Sequence, residues 1–260
     1  MVREFRQLTP RMNDGRLLIE PKPHSGSWNM AVDEVLLEGA IERGQCSVRV
    51  YQWSEPTLSL GYFQESDVQT AAPSLDSLPR VRRLSGGGAI LHHHEITYSC
   101  AVPARHALAR QPQALYQHVH SAIIDVLALG GIDAALRGKP HSGHQDAFLC
   151  FSRGDRNDIV LNGSKIVGSA QRRRRGAVLQ HGSIIVRKSA HAPHISGILD
   201  LTQAMTSALK GAIFNGLGND LGCTISTVLG IPYSFEQLSQ IEFSRATDLQ
   251  QAKYSTLKWR

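Results

Sequence analysis

Residues 158–186, "DIVLNGSKIVGSAQRRRRGAVLQHGSIIV", constrain the fold of this chain more than any other stretch. Asn162-Gly163 between two apolar runs is the strongest short-range hairpin signal, because both residues tolerate positive φ. The four arginines and Gly176 mark a second turn, after which Ala177–Val186 returns as a strand. Two successive hairpins make a meander, which commits this part of the chain to antiparallel sheet.

The segments before it predict helices and further strands. "SGSWNMAVDEVLLEGAIERG" (25–44) reads as an early helix capped by Ser27 or Asn29, with acids in its first turn and Gly44 as its stop. Trp28, Val32, Val35, Leu36 and Ala40 fall on one face of it. "SVRVYQW" (47–53) and "TLSLGYF" (57–63) are two strands split by Glu55-Pro56. Residues 64–80 read as loose, with one helical turn. One strand leads into the glycine run at 86–88, and a second covers Ile96–Val102. A second amphipathic helix spans 111–131, with Leu115, Val119, Ile123 and Leu127 recurring every four residues and Gly130-Gly131 ending it. Residues 138–157 read as a loop, and 203–216 and 235–254 as two closing helices. At 260 residues the expectation is one compact domain over 1–260.

Composition excludes several classes. No apolar run approaches the ~20 residues that span a bilayer, and the charged N-terminus lacks the apolar core of a signal peptide. Cys46, Cys100, Cys150 and Cys223 are widely spaced without a CxxC pair, which argues against a disulfide framework or a zinc site. The net charge of +6 is concentrated: Lys165, Arg172, Arg173, Arg174, Arg175, Arg187 and Lys188 lie between 159 and 190 with no acid among them. Such a patch suggests an acidic partner, nucleic acid or protein, against the plainer reading of a solvated hairpin tip.

Candidate chemistry gathers in "RRLSGGGAILHHHEITYSC" (82–100). Three glycines let a backbone approach a ligand closely, and their amides can meet an anion or a carbonyl. Arg82 and Arg83 can supply a guanidinium to a carboxylate or phosphate. The run is neither GxxxxGK[ST] nor GxGxxG, and a plain tight turn competes. His92, His93 and His94 are consecutive, so in a strand at most two share a face. Metal ligands converge from separate elements, and no metal is expected here. Cys150 closes a glycine- and histidine-containing loop, and Lys165 follows the Asn162-Gly163 turn on an apolar strand. An ammonium beside a thiol favours the nucleophilic thiolate. The alternative for a lone cysteine is a small buried hydrophobe, a reading that Cys100 in "ITYSCAV" fits. His181 and Gly182 lie mid-strand, where glycine suggests close approach of a ligand or backbone and histidine is otherwise a bonded core residue.

Taken in order, "WNMAVDEVLL", "VRVYQWSEPTLSLGYFQ", "VRRLSGGGAILHHHEITYS", "NGSKIVGSAQRRRRGAVLQHGSIIV" and "LQQAKYSTLKW" resemble the biotin/lipoate protein ligase catalytic family on its lipoyl side. That side holds lipoate–protein ligase A and the cysteine-dependent octanoyltransferases; the biotin ligases look less similar, since their GRGRRG-type loop is absent. The resemblance implies an α+β fold with a mixed, mainly antiparallel β-sheet flanked by helices. It implies an acyl pocket lined by Arg82, Ser85, Gly86, Gly87 and Gly88, with His92 matching the family histidine. Lys165 matches the lysine that contacts the carboxyl end of the acyl group, and Gly168, Ser169, Ala170, His181 and Gly182 complete the pocket. The implied acceptor is a lysine of an acidic lipoyl domain or glycine-cleavage H protein, which suits the basic stretch, in a cytoplasmic setting with no membrane partner.

Two branches follow from the resemblance. In octanoyl transfer, Cys150 takes the acyl group from octanoyl–acyl carrier protein as a thioester, Lys165 polarises the carbonyl, and no cofactor is needed. In ATP-dependent ligation, ATP and Mg2+ activate free lipoate or octanoate as acyl-AMP, Lys165 meets the carbonyl and α-phosphate, and Cys150 is a bystander. Gly88 at the end of the glycine run and "RGDRND" (153–158) resemble the ligases. "LQHGS", the Cys150-Phe151 pair and the absence of room for a C-terminal accessory domain favour the transferase. A reading from another class, a nucleic-acid-binding module built on Arg172–Arg175, lacks interleaved aromatics and a recognition helix.

Overall fold

The computed structural model describes residues 15–65, 73–139, 148–202 and 207–259. The charged N-terminal segment, residues 66–72 of the loose stretch, residues 140–147 of the expected loop and the start of the third helix (203–206) lie outside the described residues.

The strands are β1 (Gly15–Ile19), β2 (Ser47–Tyr51), β3 (Thr57–Leu60), β4 (Arg80–Arg82), β5 (Ile90–His92), β6 (Glu95–Val102), β7 (Ala135–Leu136), β8 (Ile159–Leu161), β9 (Ser164–Arg174), β10 (Ala177–Ile185) and β11 (Tyr233–Phe235). The helices are α1 (Gly26–Glu42), α2 (Pro73–Asp76), α3 (Pro112–Leu129), α4 (Ile198–Leu201), α5 (Ser207–Val228) and α6 (Gln240–Leu249). Eight strands form one sheet in the order β11-β1-β2-β6-β10-β9-β8-β7, and β4-β3-β5 form a second. The large sheet is parallel across β11, β1 and β2 and antiparallel from β2 onward. This is the mixed, mainly antiparallel α+β architecture expected.

The period of two along the strands decides which helices cover which face. Leu17, Val48, Val50, Cys100 and Val178 face α3 and α5, where Leu115, Val119, Ile123 and Leu127 are fully buried. Their neighbours Leu18, Tyr51, Ala101 and Leu179 face α1 and α6. The meander forms as read: Asn162 and Gly163 (φ 50° and 78°) and then Arg175 and Gly176 (φ 48° and 80°) make two-residue turns with both central residues at positive φ.

Several boundaries differ. Ser25, not Ser27 or Asn29, caps α1 by accepting the Trp28 N–H, and no acid lies in the first turn. α5 continues to Val228, past glycines that lower helix propensity. There Gly222 lets the helix lie against β1, since a Cβ at that position would stand 2.7 Å from Leu17 Cδ1. The last helix starts at Gln240 after the short strand β11, because Ser239 and Glu242 form a capping box. Among the described residues no helix is long and apolar enough to cross a membrane.

Candidate active site

A cavity of about 300 Å³ lies where α1, the glycine run and strands β6, β9 and β10 meet. Gly86, Gly87, His92, Cys150, Gly168, Ser169, Ala170, His181 and Gly182 line it, together with Met30, Tyr51, Arg83, Tyr116 and Phe151, which sequence reasoning did not assign to it.

Cys150 opens a single 3₁₀ turn, Cys150–Ser152, beside the end of the glycine run. Its N–H donates to Ala89 O at 2.7 Å, and Ala89 N–H donates to Phe148 O at 3.1 Å. Cys150 is partly exposed, unlike Cys46 and Cys100. Burial pushes the Cys46 thiol well up and raises Cys100 to about 12, so both remain inert.

Lys165 does not line the cavity but reaches its edge from behind. Its Nζ stands 3.9 Å from Cys150 Sγ and 3.3 Å from Cys150 O, and it pairs with Asp158 Oδ1 at 2.9 Å. A bulge aims it there: Val160 pairs with Lys165 but Ile159 pairs with Val167, so Ile166 is the extra residue that re-aims the lysine. Gly168 leaves the room, since a Cβ there would fall 2.7 Å from Lys165 Cε. Burial raises the Asp158 carboxyl above its ordinary range, more than the Lys165 charge lowers it.

The two arginines divide differently from expectation. Arg82, expected in the pocket, is fully buried and gives its guanidinium to the carbonyls of Gly61, Tyr62, Gln64 and Leu257. Arg83 is the arginine at the cavity, and it donates to Ser59 O, Gly86 O and Gly88 O. Burial brings its guanidinium down to about 10, still charged at neutral pH. Because the Gly86 carbonyl points to Arg83, the trans peptide turns the Gly87 N–H the other way. Gly88 is also outside the lining: a Cβ there would meet Phe148 O and Arg153 at 3.1 Å.

Ser85 lies behind the wall and bonds His181 Nε2 at 2.5 Å. His181 Nδ1 in turn stands 3.0 Å from Asp33 Oδ2 and donates its proton to that carboxylate. Burial pushes the Asp33 carboxyl up, but the His181 hydrogen bond and the Arg49 charge outweigh it and hold it below its ordinary value. His92 stacks on Trp53 at 3.8 Å and donates Nδ1–H to Glu95 at 2.7 Å, whereas His93 bonds Ser189. The consecutive histidines thus turn to separate partners.

A directional chain holds Ser169 at the cavity wall. Gln180 donates to the Tyr98 hydroxyl at 3.0 Å, and that hydroxyl is 2.6 Å from Ser169 Oγ. Ser169 Oγ is 2.7 Å from His120 Nε2, and His120 Nδ1 donates to Asn157 O at 2.6 Å. Burial pulls His120 down to about 4, so it is neutral and accepts the Ser169 proton.

Residues 25–212 match the protein family described as lipoyl protein ligase A/B catalytic domain. Octanoyltransferase LipM of Oceanobacillus iheyensis is 35% identical over 232 residues, covering 87% of this chain and 82% of the relative. Octanoyltransferase LipM of Symbiobacterium thermophilum is 30% identical over 268 residues, covering 93% and 96%. Among solved structures, a chain from the bi-partite lipoate protein ligase and E2 lipoyl domain of Thermoplasma acidophilum shares the fold, with a TM-score of 0.69 at 20% identity over 95% of each chain.

Proposed function

This chain belongs to the lipoyl protein ligase A/B catalytic domain family, and we propose that it transfers an octanoyl group from a carrier thioester to a protein lysine through a thioester on Cys150. The observation that carries this reading is the Cys150 thiol at the cavity with the Lys165 ammonium 3.9 Å away. The relatives at 30–35% identity over most of the chain are octanoyltransferases, which favours transfer over ligation.

The Cys150 thiolate attacks the carbonyl carbon of the octanoyl thioester. An Sγ–C bond forms, the bond to the carrier sulfur breaks, and the carrier thiol takes the proton that Cys150 gave up. The unprotonated ε-amine of the acceptor lysine then attacks the Cys150 thioester. The amide C–N bond forms, the C–Sγ bond breaks, and the surplus amine proton goes to the Cys150 sulfur. In both tetrahedral intermediates the Lys165 ammonium offsets the charge that builds on the carbonyl oxygen, with amides of the glycine run as the further donors. The cavity is at the small end of ligand pockets, and Met30, Ile90 and Phe151 give it apolar walls suited to an alkyl chain. The donor is octanoyl–acyl carrier protein and the acceptor a lipoyl domain or glycine-cleavage H protein; neither step uses ATP.

The test is intact-mass spectrometry of the enzyme and an apo lipoyl domain. One reaction holds octanoyl–acyl carrier protein without ATP, the other octanoate or lipoate with Mg-ATP. Octanoylation in the first alone, with an adduct on Cys150 that Cys150→Ala removes, is the expected result. Acylation in the second alone would make the chain a ligase and Cys150 an ordinary cysteine.

A further inference from the structure

We propose that Asp158 is a positioning residue of the transfer reaction, fixing the Lys165 ammonium against Cys150 so that the reactivity of the thiol depends on Asp158 through that lysine. The inference rests on the reading of Cys150 as the nucleophile.

Three contacts surround Lys165 Nζ at one end of the cavity: Asp158 Oδ1 at 2.9 Å, Cys150 O at 3.3 Å and Cys150 Sγ at 3.9 Å. Both side chains of the ion pair are 5% exposed. Asp158 is itself held on every side. Its Oδ2 accepts the Asp155 N–H at 2.7 Å, its N–H donates to Asp155 O, and its carbonyl accepts the Arg137 N–H. The carboxylate therefore cannot follow Lys165 if the lysine moves, and it acts as a fixed post. On the other side, the bulge in β9 and the missing Cβ of Gly168 let the lysine chain bend back over the Phe151 ring. A buried ion pair adds little to stability over apolar residues of the same size. This one spans from the turn before β8 to the thiol, and its geometry serves the sulfur.

The other charged or titratable groups here are accounted for. Arg83 and Tyr116 face Cys150. Arg137 Nε approaches Asp158 at 3.7 Å, Asp155 lies beside it, and neutral His120 faces Lys165. Arg153 ends the Cys150 turn and lies against Gly88. Among the groups so placed, Asp158 is the anion that pairs with Lys165. Without it, a buried ammonium either swings out to water or gives up its proton. In both cases the thiol loses the ammonium 3.9 Å from its sulfur and keeps only the charge of Arg83, which is engaged with the carbonyls of Ser59, Gly86 and Gly88.

The experiment is the pH dependence of Cys150 alkylation by iodoacetamide, followed by mass, alongside octanoyl transfer. Asp158→Asn is expected to displace the alkylation profile upward by about one pH unit, which is about tenfold in thiolate at neutral pH, and to slow transfer by at least about tenfold. Lys165→Met should do the same, and adding Asp158→Asn to Lys165→Met should change alkylation by less than about twofold. Asp158→Glu should restore part of the profile. A wild-type profile in Asp158→Asn, a downward displacement, or effects that multiply in the double variant would overturn the proposal. The double variant removes both charges together, a change buried pairs tolerate. If Asp158→Asn alone fails to fold, comparing the double variant with Lys165→Met still decides. Should the wild-type enzyme form no acyl adduct at all, the octanoyl-transfer reading fails, while the alkylation series still reports on Asp158.

Discussion

At the scale of single residues the site depends on what is missing as much as on what is present. Gly168 lies in β9 at ordinary strand conformation, so alanine there brings no backbone strain. Its Cβ would nevertheless meet Lys165 Cε at 2.7 Å and Nζ at 3.1 Å. Because Lys165 is buried and pinned between Asp158 and Cys150, it must leave its place. Gly168→Ala is expected to slow octanoyl transfer by roughly tenfold or more and to cost ~1–3 kcal/mol of stability, which transfer rates and thermal melts of the purified variant would reveal. An unaffected rate would mean that Lys165 can act from another position. Cys150 and Lys165 stood out in the sequence as a candidate pair beside the plainer readings of a buried thiol and a solvated lysine, but their proximity did not, and the structure brings them to 3.9 Å. Arg82 and Arg83 could not be told apart, because adjacent residues of an extended chain point to opposite sides and local sequence does not say which side is the pocket. Tyr116 and His120 carried a readable sign: spaced i, i+4, they form a polar stripe beside the Leu115–Val119–Ile123 apolar face of α3. Asp158 offered no such sign, as its partner comes from the bulged strand after the next turn.

The same distinction between local and distant causes holds at the scale of elements. The meander, α3 and the stop of α1 follow from signals within a few residues of themselves. α6 begins later than residue 235 because Ser239 and Glu242 spell a capping box that lies inside a longer polar stretch. Glu242 also joins α6 to β1. It takes two hydrogen bonds from Arg16, at 2.7 and 2.8 Å, and one from Arg43 at 2.7 Å. Burial opposes its charge, yet the Arg16 bonds and the Ser239 amide bring the carboxyl down to about 2. Glu242→Gln would leave Arg16, 3% exposed, without its anion. The expected cost is ~3 kcal/mol, seen as a lower urea midpoint at unchanged slope. Loss below ~1 kcal/mol would show that α6 is held by Ala246 and Leu249 alone. The expected end of α5 at 216 falls on glycines that weaken a helix locally, whereas the glycine further along at 222 meets Leu17 of β1, a partner about two hundred residues away in the chain.

At the scale of the whole molecule, the pairing of β1 with β11 and β2, and of β2 with β6, joins segments that no local pattern connects. Resemblance of ordered blocks gave the mixed, mainly antiparallel class of the sheet but not this strand order, nor the buried polar chains between the layers, because their partners come from different elements. These chains set how the folded state responds to acid. His120 is neutral in the fold, with its titration drawn to about 4, while an unfolded histidine titrates near 6.5. Between those values the unfolded state binds the extra proton, so stability must fall as pH drops through 6.5 toward 4, by up to ~3 kcal/mol. Glu242, at about 2 in the fold against 4.5 ordinarily, acts in the same sense but only as pH falls below about 4.5. Asp158 acts in the opposite sense, since burial raises its carboxyl and the folded state takes that proton first. Above about pH 5 the Glu242 contribution is absent, so the fall comes from the histidines against the opposing pull of Asp158, and His93, drawn down by burial and by the neighbouring His94, acts in the same direction as His120. Urea midpoints at pH 7.5, 6.5, 5.5 and 5 should decline for the wild-type protein from about 6.5 downward. In His120→Gln, which keeps a donor toward Asn157 O and an acceptor toward Ser169, most of that decline should vanish. An equal decline in the variant would place the acid-sensitive proton elsewhere and would leave the Gln180–Tyr98–Ser169 chain without a fixed end.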